Sequence, residues 1–363
     1  MKKRFLAMMI AAMMAVSLMA CGGSSGSTTS TTDSSSESEE ESTEEASTAQ
    51  ESSGETVVLQ IGFENSSSEP IGQALQKWKE LVDEQGDGSL VLELYPDSQL
   101  GSKSELLDGM LLGETYVTLC DGSFYAEYGV PDFSVMYAPF LFDDWDQVWT
   151  LVESDWYADM CSQLADNGLT IVSSNWAYGA RHTLTTTPVN TVDDLEGLKI
   201  RVPSNTIQSL SFDVLGAASV GMDLGDVYTA LQQGTIDGAE NPIATLYGRN
   251  LHEVAKYLIL DGHVLNSTTW VMSTDVFNSL TEEQQELLIS TGEEAGLYNN
   301  TLLEESEDEY LQLMIDEGVT VVEPSEEVLE GFKEKAEAIW DYADEFGWSD
   351  GLYETVKEAM GAE

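Results

Sequence analysis

Cations are what this chain of 363 residues has least of: 14 lysines and arginines stand against 66 aspartates and glutamates, a formal net charge of −52. That balance argues against a nucleic-acid partner, because gripping phosphates takes clustered Lys and Arg. It favours solubility and self-repulsion instead. Histidine is scarce as well: His182, His252 and His263 are the only three. They fall in different helical and loop contexts, and His252-Glu253 runs on into Val254, Ala255 and Lys256, so the zinc-helix spacing fails at its last residue. No metal site is expected. The chain holds no G-x-S-x-G elbow and no Walker A loop, so neither catalysis nor a cofactor is expected. Acids are so abundant that carboxylate pairs say nothing about acid–base chemistry. Of the cysteines, Cys21, Cys120 and Cys161, only the last two are candidates for a bridge, and their separation along the chain does not decide it.

What is present begins with a leader. Residues 1–20 carry Lys2, Lys3 and Arg4, then an apolar run too short for a resident membrane span. The run ends Leu18-Met19-Ala20-Cys21, which resembles a bacterial lipobox. The expectation is cleavage before Cys21 and lipid on its sulfur, anchoring the protein to a membrane without spanning it. Residues 21–55, rich in Ser, Thr and Glu, cannot bury enough apolar surface to fold and read as a disordered tether.

The body alternates strand and helix. Strands at 57–63, 90–95 and 116–120 are separated by helices at 70–85 and 104–112, a βαβαβ unit of a largely parallel sheet. An aromatic-rich stretch, 124–149, reads mainly as packing, with one or two rings left to line a pocket. Asp143, Asp144 and Asp146 read as a helix start rather than a calcium loop. A helix at 148–165 leads to a strand at 170–173. Trp176, Tyr178 and Gly179 then precede Arg181, which suits either a pocket wall or a strand crossover. A strand at 267–274, a capping box at 281–284 and a run of helix to 316 follow, with Gly292 and Gly296 as possible kinks. Helices at 326–346 and 351–360 close the chain.

Residues 195–242 repeat the βαβαβ logic. Strand 199–202 delivers Arg201 to Pro203 and a polar turn, Ser204-Asn205-Thr206, and helix 207–215 follows. A guanidinium can hold a carboxylate by two parallel hydrogen bonds, and a helix start offers free N–H groups beside it. Only eleven Lys and Arg lie beyond the leader, three of them arginine. In so acidic a chain, Arg181 and Arg201 near apolar strands are poor candidates for surface decoration.

The runs LYPDSQLGSKSELLDGMLLGE, APFLF, LEGLKIRVPSN and VYTALQQGTIDGAENP, in that order along the chain, resemble the DctP-type extracytoplasmic solute-binding proteins of TRAP transporters. The resemblance implies an α/β, two-lobed periplasmic-binding-protein-like fold with crossing strands and a long spine helix. The expected lobes are 56–178 with 267–306, and 179–266 with 307–363. It implies a monomer that captures a small organic acid by hinge closure and delivers it to a sodium-coupled membrane permease. It places Arg201 as the carboxylate clamp, with Arg181, Asn241, Ser204, Glu64 and Asp121 around the ligand. Trp176 and Tyr178 join them from the residue reading above. Relatives often carry an aromatic where Met222-Asp223-Leu224 has leucine, so a stacking contact is expected to be missing. Acidic Glu64 and Asp121 would repel a second carboxylate and accept hydrogen bonds from hydroxyls. That favours a uronate or aldonate over a plain C4-dicarboxylate. A ligand sensor for a membrane kinase would use the same chemistry; a surface enzyme would need a nucleophile, base or metal that the sequence lacks.

Overall fold

The apolar periods of the sequence fold as two parallel units strung on two long strands. In the computed structural model, which describes residues 56–362, β1 (Val57–Gly62), β2 (Leu90–Tyr95) and β3 (Tyr116–Cys120) pair in parallel in the order β2-β1-β3. The expected leader, Cys21 and the tether lie outside the described residues. Helices Pro70–Gln85 and Lys103–Leu111 form the crossovers. The first begins on Pro70, where the missing N–H costs nothing; the second begins on a Ser102–Glu105 capping box.

Next comes β4 (Leu169–Thr185), then β5 (Lys199–Val202), β6 (Ala218–Gly221) and β7 (Gly238–Pro242), which pair in parallel in the order β7-β5-β6. Helix Thr206–Leu215 follows β5. Asn205 caps its start, and Gly216, at φ 100°, ends it in the left-handed conformation that glycine adopts without strain. Strand β8 (Tyr257–Ser273) runs antiparallel to β4, and β9 (Thr320–Val322) pairs with β8. Both long strands pass through both units, so one nine-stranded sheet, β2-β1-β3-β8-β4-β7-β5-β6 with β9 beside β8, joins two lobes.

The sequence pattern shows only part of each long strand, 170–173 and 267–274. The full strands carry β-bulges: the β4–β8 register shifts at four places. One is at Arg181/Thr183, where the carboxylate of Asp261 accepts the Thr183 N–H at 3.1 Å and its Oγ–H at 2.8 Å. A side chain there supplies the acceptor that the shifted partner backbone does not, so Asp261-Gly262-His263, turn-like by composition, stays in the strand.

The expected spine is a single helix, Glu282–Asp316, of 35 residues and about 52 Å at 1.5 Å per residue. Its glycines do not interrupt it. A Cβ at Gly292 would lie 2.9 Å from the Trp78 ring, and one at Gly296 would lie 2.3 Å from Asn175 Oδ1; both are there for close approach. The expected helix 148–165 is instead two, Trp145–Val152 and Asp155–Asp166, because Ser154 caps a new start. Asp144 caps the first of them, as a helix start should. Helix 326–346 likewise breaks into Glu326–Ala336, a 3₁₀ stretch and Ala343–Phe346.

The lobe boundary at the C-terminus also differs from expectation. Trp348, Leu352, Val356 and Met360 share a core with Val148, Leu151, Tyr157 and Leu164, and Trp348 donates its indole N–H to Ser134 at 2.9 Å. Helix Leu352–Ala359 needs cover for its apolar stripe and finds it against helices Trp145–Val152 and Asp155–Asp166. Cys120, buried, and Cys161, half-buried, are both free thiols.

Candidate ligand-binding site

The parallel strands of each lobe point their carboxyl ends at a common cavity, the usual place for a ligand in open α/β sheets. Glu64 follows β1, Asp121 follows β3, Arg201 and Pro203 sit at the end of β5, and Asn241 lies near the end of β7. Tyr178 and Arg181 of β4, and Asn266 and Thr268 of β8, complete the floor.

The two arginines are both 3% exposed but differently engaged. Arg181 is spent on the protein. Its Nε and Nη2 pair with the Glu240 carboxylate, and its Nη1 donates to Asn266 Oδ1 at 3.2 Å. Behind it, His263 Nε2 lies 3.2 Å from Glu240 and Nδ1 3.2 Å from Asp261. Burial works against the charges in this group, yet Arg181 and His263 hold Glu240 down to about 2. Burial likewise opposes the His263 cation, but Asp261 and Glu240 raise its pKa to about 9. The group is two ion pairs in series, closed on itself.

Arg201 is the opposite case. Its Nε donates to the Met222 carbonyl at 2.8 Å, and Nη1 and Nη2 have no hydrogen-bond partner among the described residues. Burial lowers its pKa, but a guanidinium stays charged throughout the physiological range. A buried cation with two free donor groups is costly until an anion meets it. Asn241, whose amide also makes no hydrogen bond among the described residues, lines the same space.

A third cation was not foreseen. Lys103, at the first turn of its helix, is buried with Nζ 3.8 Å from Asp121 Oδ2 and 4.0 Å from Glu64 Oε2. Burial disfavours its charge, but the two carboxylates raise its pKa. Glu64 and Asp121 therefore share one counter-ion. The same scarcity of cations that singled out the arginines applied to Lys103, which directly follows Gly101-Ser102 at a helix start.

Of the expected site residues, the structure gathers Arg201, Arg181, Asn241, Glu64, Asp121 and Tyr178 around the cavity. It leaves out two. Strand alternation sends Arg201 and Pro203 inward, so Ser204 faces an outer groove with Thr206 and Glu127. Trp176 is fully buried with Trp78 and Trp270 and donates its N–H to the Gly292 carbonyl, beneath the spine helix and away from the cavity. Leu224 lines the cavity, and Tyr137 is the one ring of the 124–149 stretch that reaches it. Sequence reasoning also missed Gln208, Asn266 and Thr268, which carry no motif.

The lobes meet across this cavity. Asn205 and Gln208 of the second lobe both donate to Ser123 Oγ of the first, at 3.2 and 2.9 Å, and Thr206 Oγ1 donates to Glu127 at 2.8 Å. A closed cleft with an uncommitted cation inside it is suited to holding an anion. The chain belongs to the DctP family, the bacterial extracellular solute-binding proteins of family 7, whose pattern it matches over residues 61–345; its relatives are binding proteins, not enzymes. It is 37% identical to a solved TRAP periplasmic solute-binding protein of Ochrobacterium anthropi with bound L-fuconate, covering 84% of this chain and 99% of that one at a TM-score of 0.80. A counterpart from Actinobacillus succinogenes 130z with bound L-galactonate is 33% identical, with the same coverage and TM-score. The 2,3-diketo-L-gulonate-binding periplasmic protein of Escherichia coli is 31% identical over 265 residues, 73% of this chain and 80% of that protein. No helix among the described residues is long and apolar enough to cross a membrane.

Proposed function

We propose that the protein captures a hydroxylated monocarboxylate, a sugar acid of the aldonate or uronate kind, outside the cell membrane and hands it to a sodium-coupled TRAP permease. The observation that carries this is Arg201, buried in an enclosed cavity with Nη1 and Nη2 unpaired. The ligand carboxylate takes both donors in a bidentate pair. The remaining charges argue for one carboxylate only. Arg181 is matched by Glu240, and Lys103 faces two acids, Glu64 and Asp121; with Arg201 counted, the open site is neutral before the ligand arrives. A second carboxylate would meet Glu64 or Asp121, whereas a hydroxyl can donate to either. The sugar acids bound by the two solved relatives are of this class. On this reading the first lobe comprises 56–178, 267–306 and 340–362, and the second 179–266 and 307–339. The protein works as a monomer, tethered through residues 21–55 to lipid on Cys21.

Calorimetry with L-galactonate and succinate tests the assignment. Wild-type protein is expected to bind galactonate, and Arg201→Ala to weaken it by about a hundredfold, the scale for truncating one partner of a buried charge pair, with an unchanged circular-dichroism spectrum. Succinate binding more tightly than galactonate would overturn the ligand class. Retained affinity in Arg201→Ala would overturn the anchor.

A further inference from the structure

Gln208, 3% exposed on helix Thr206–Leu215, lines the cavity, and its Oε1 has no hydrogen-bond partner among the described residues. The orientation of that amide is determined by its neighbours. Ser123 Oγ–H donates to Asp121 Oδ1, which uses the only proton the hydroxyl has. Its two lone pairs then accept Asn205 Nδ2 and Gln208 Nε2. Asn205 cannot flip to relieve this, because its Oδ1 caps the helix by accepting the Gln208 N–H at 3.1 Å. Ser123 is saturated, so Gln208 must present nitrogen to it and leave oxygen unpaired. A buried acceptor without a donor is destabilising, and no donor among the described residues relieves it.

We propose that Gln208 is a specificity-determining residue: its Oε1 accepts a hydroxyl proton of the bound acid, and Ser123 is the positioning residue that orients it. This rests on the sugar-acid reading and refines it. Arg201 takes any carboxylate that enters the open cleft. Gln208 belongs to the other lobe from Ser123, so its amide is held only once the lobes meet. Hydroxyls are therefore read at closure, after the carboxylate has been caught, and an acid without them closes the cleft onto an unpaired acceptor.

The test compares L-galactonate with hexanoate, a six-carbon acid with no hydroxyls, by calorimetry and by displacement at millimolar concentration. Gln208→Met, which keeps the reach of the side chain and removes the acceptor, is expected to weaken galactonate about tenfold, one lost hydrogen bond's worth, and to leave hexanoate within about twofold. Ser123→Ala is expected to shift galactonate the same way by a smaller factor, and thermal unfolding of both variants without ligand checks that they fold. Unchanged galactonate affinity in Gln208→Met, or equal losses for both acids, would overturn the proposal while leaving the sugar-acid reading intact. If the wild type binds neither acid, the ligand class fails first and this inference goes with it.

Discussion

Two arginines of the same burial do different work because of what faces them. Arg181 meets Glu240 and becomes structure; Arg201 meets a backbone carbonyl and remains available. The rarity of cations marked both and the polar turn after β5 favoured Arg201, yet nothing near Arg181 in the sequence shows that it is already paired, since Glu240 and His263 lie far along the chain. The closed group around Glu240 has a pH signature. His263 binds its proton more tightly folded, with a pKa raised to about 9, than unfolded, at about 6.5. Its contribution to stability is full below about pH 6.5 and is lost as pH rises through about 9. Urea unfolding between about pH 6 and about pH 9.5 should show wild-type stability falling across that window. His263→Gln should lack that slope; an identical slope in both proteins would assign it elsewhere.

At the scale of elements, the spine helix was legible and its contacts were not. A capping box at Thr281 and few breakers up to Asp316 mark it out from sequence alone. Its glycines read as weak points because helix propensity penalises them. In the fold they are where Trp78, Asn175 and Trp176 press against the helix. Propensity and packing then pull Gly296→Ala in opposite directions. Replacing glycine by alanine in a helix gains about 1 kcal/mol. A methyl at 2.3 Å from Asn175 Oδ1 has no room, and overpacking costs about 1–3 kcal/mol. Packing should win, and chemical denaturation should show Gly296→Ala less stable than wild type. A gain in stability would mean that Asn175 moves aside freely. The long strands were read only in part for a related reason. Four register shifts break their alternation, and the Asp261 carboxylate that bridges one of them looks, in sequence, like part of a turn.

For the whole molecule, closure is the functional event. Hydrogen bonds join the lobes at Asn205, Thr206 and Gln208 with Ser123 and Glu127, and at Thr245 and Arg249 with Glu69, Glu64 and Asp97, while the acidic charge of the chain opposes bringing the lobes together. A ligand that touches both lobes favours the closed form by its extra contacts there. Small-angle scattering should therefore show the radius of gyration falling when galactonate is added to wild-type protein. The same concentration should leave Arg201→Ala expanded. Compaction that is complete without ligand would contradict the hinge.

The sequence by itself determined the βαβαβ units, the spine helix, the absence of catalytic machinery and the prominence of Arg201. All of these rest on local period, capping and composition, which one stretch of chain can display. Only the tertiary structure decided that Arg181 is a matched ion pair, that Lys103 is shared by Glu64 and Asp121, that Trp176 is core and that Gln208 holds an unpaired oxygen. Each of those depends on partners brought together from distant strands, and a buried charge or hydrogen bond takes its meaning from its partner.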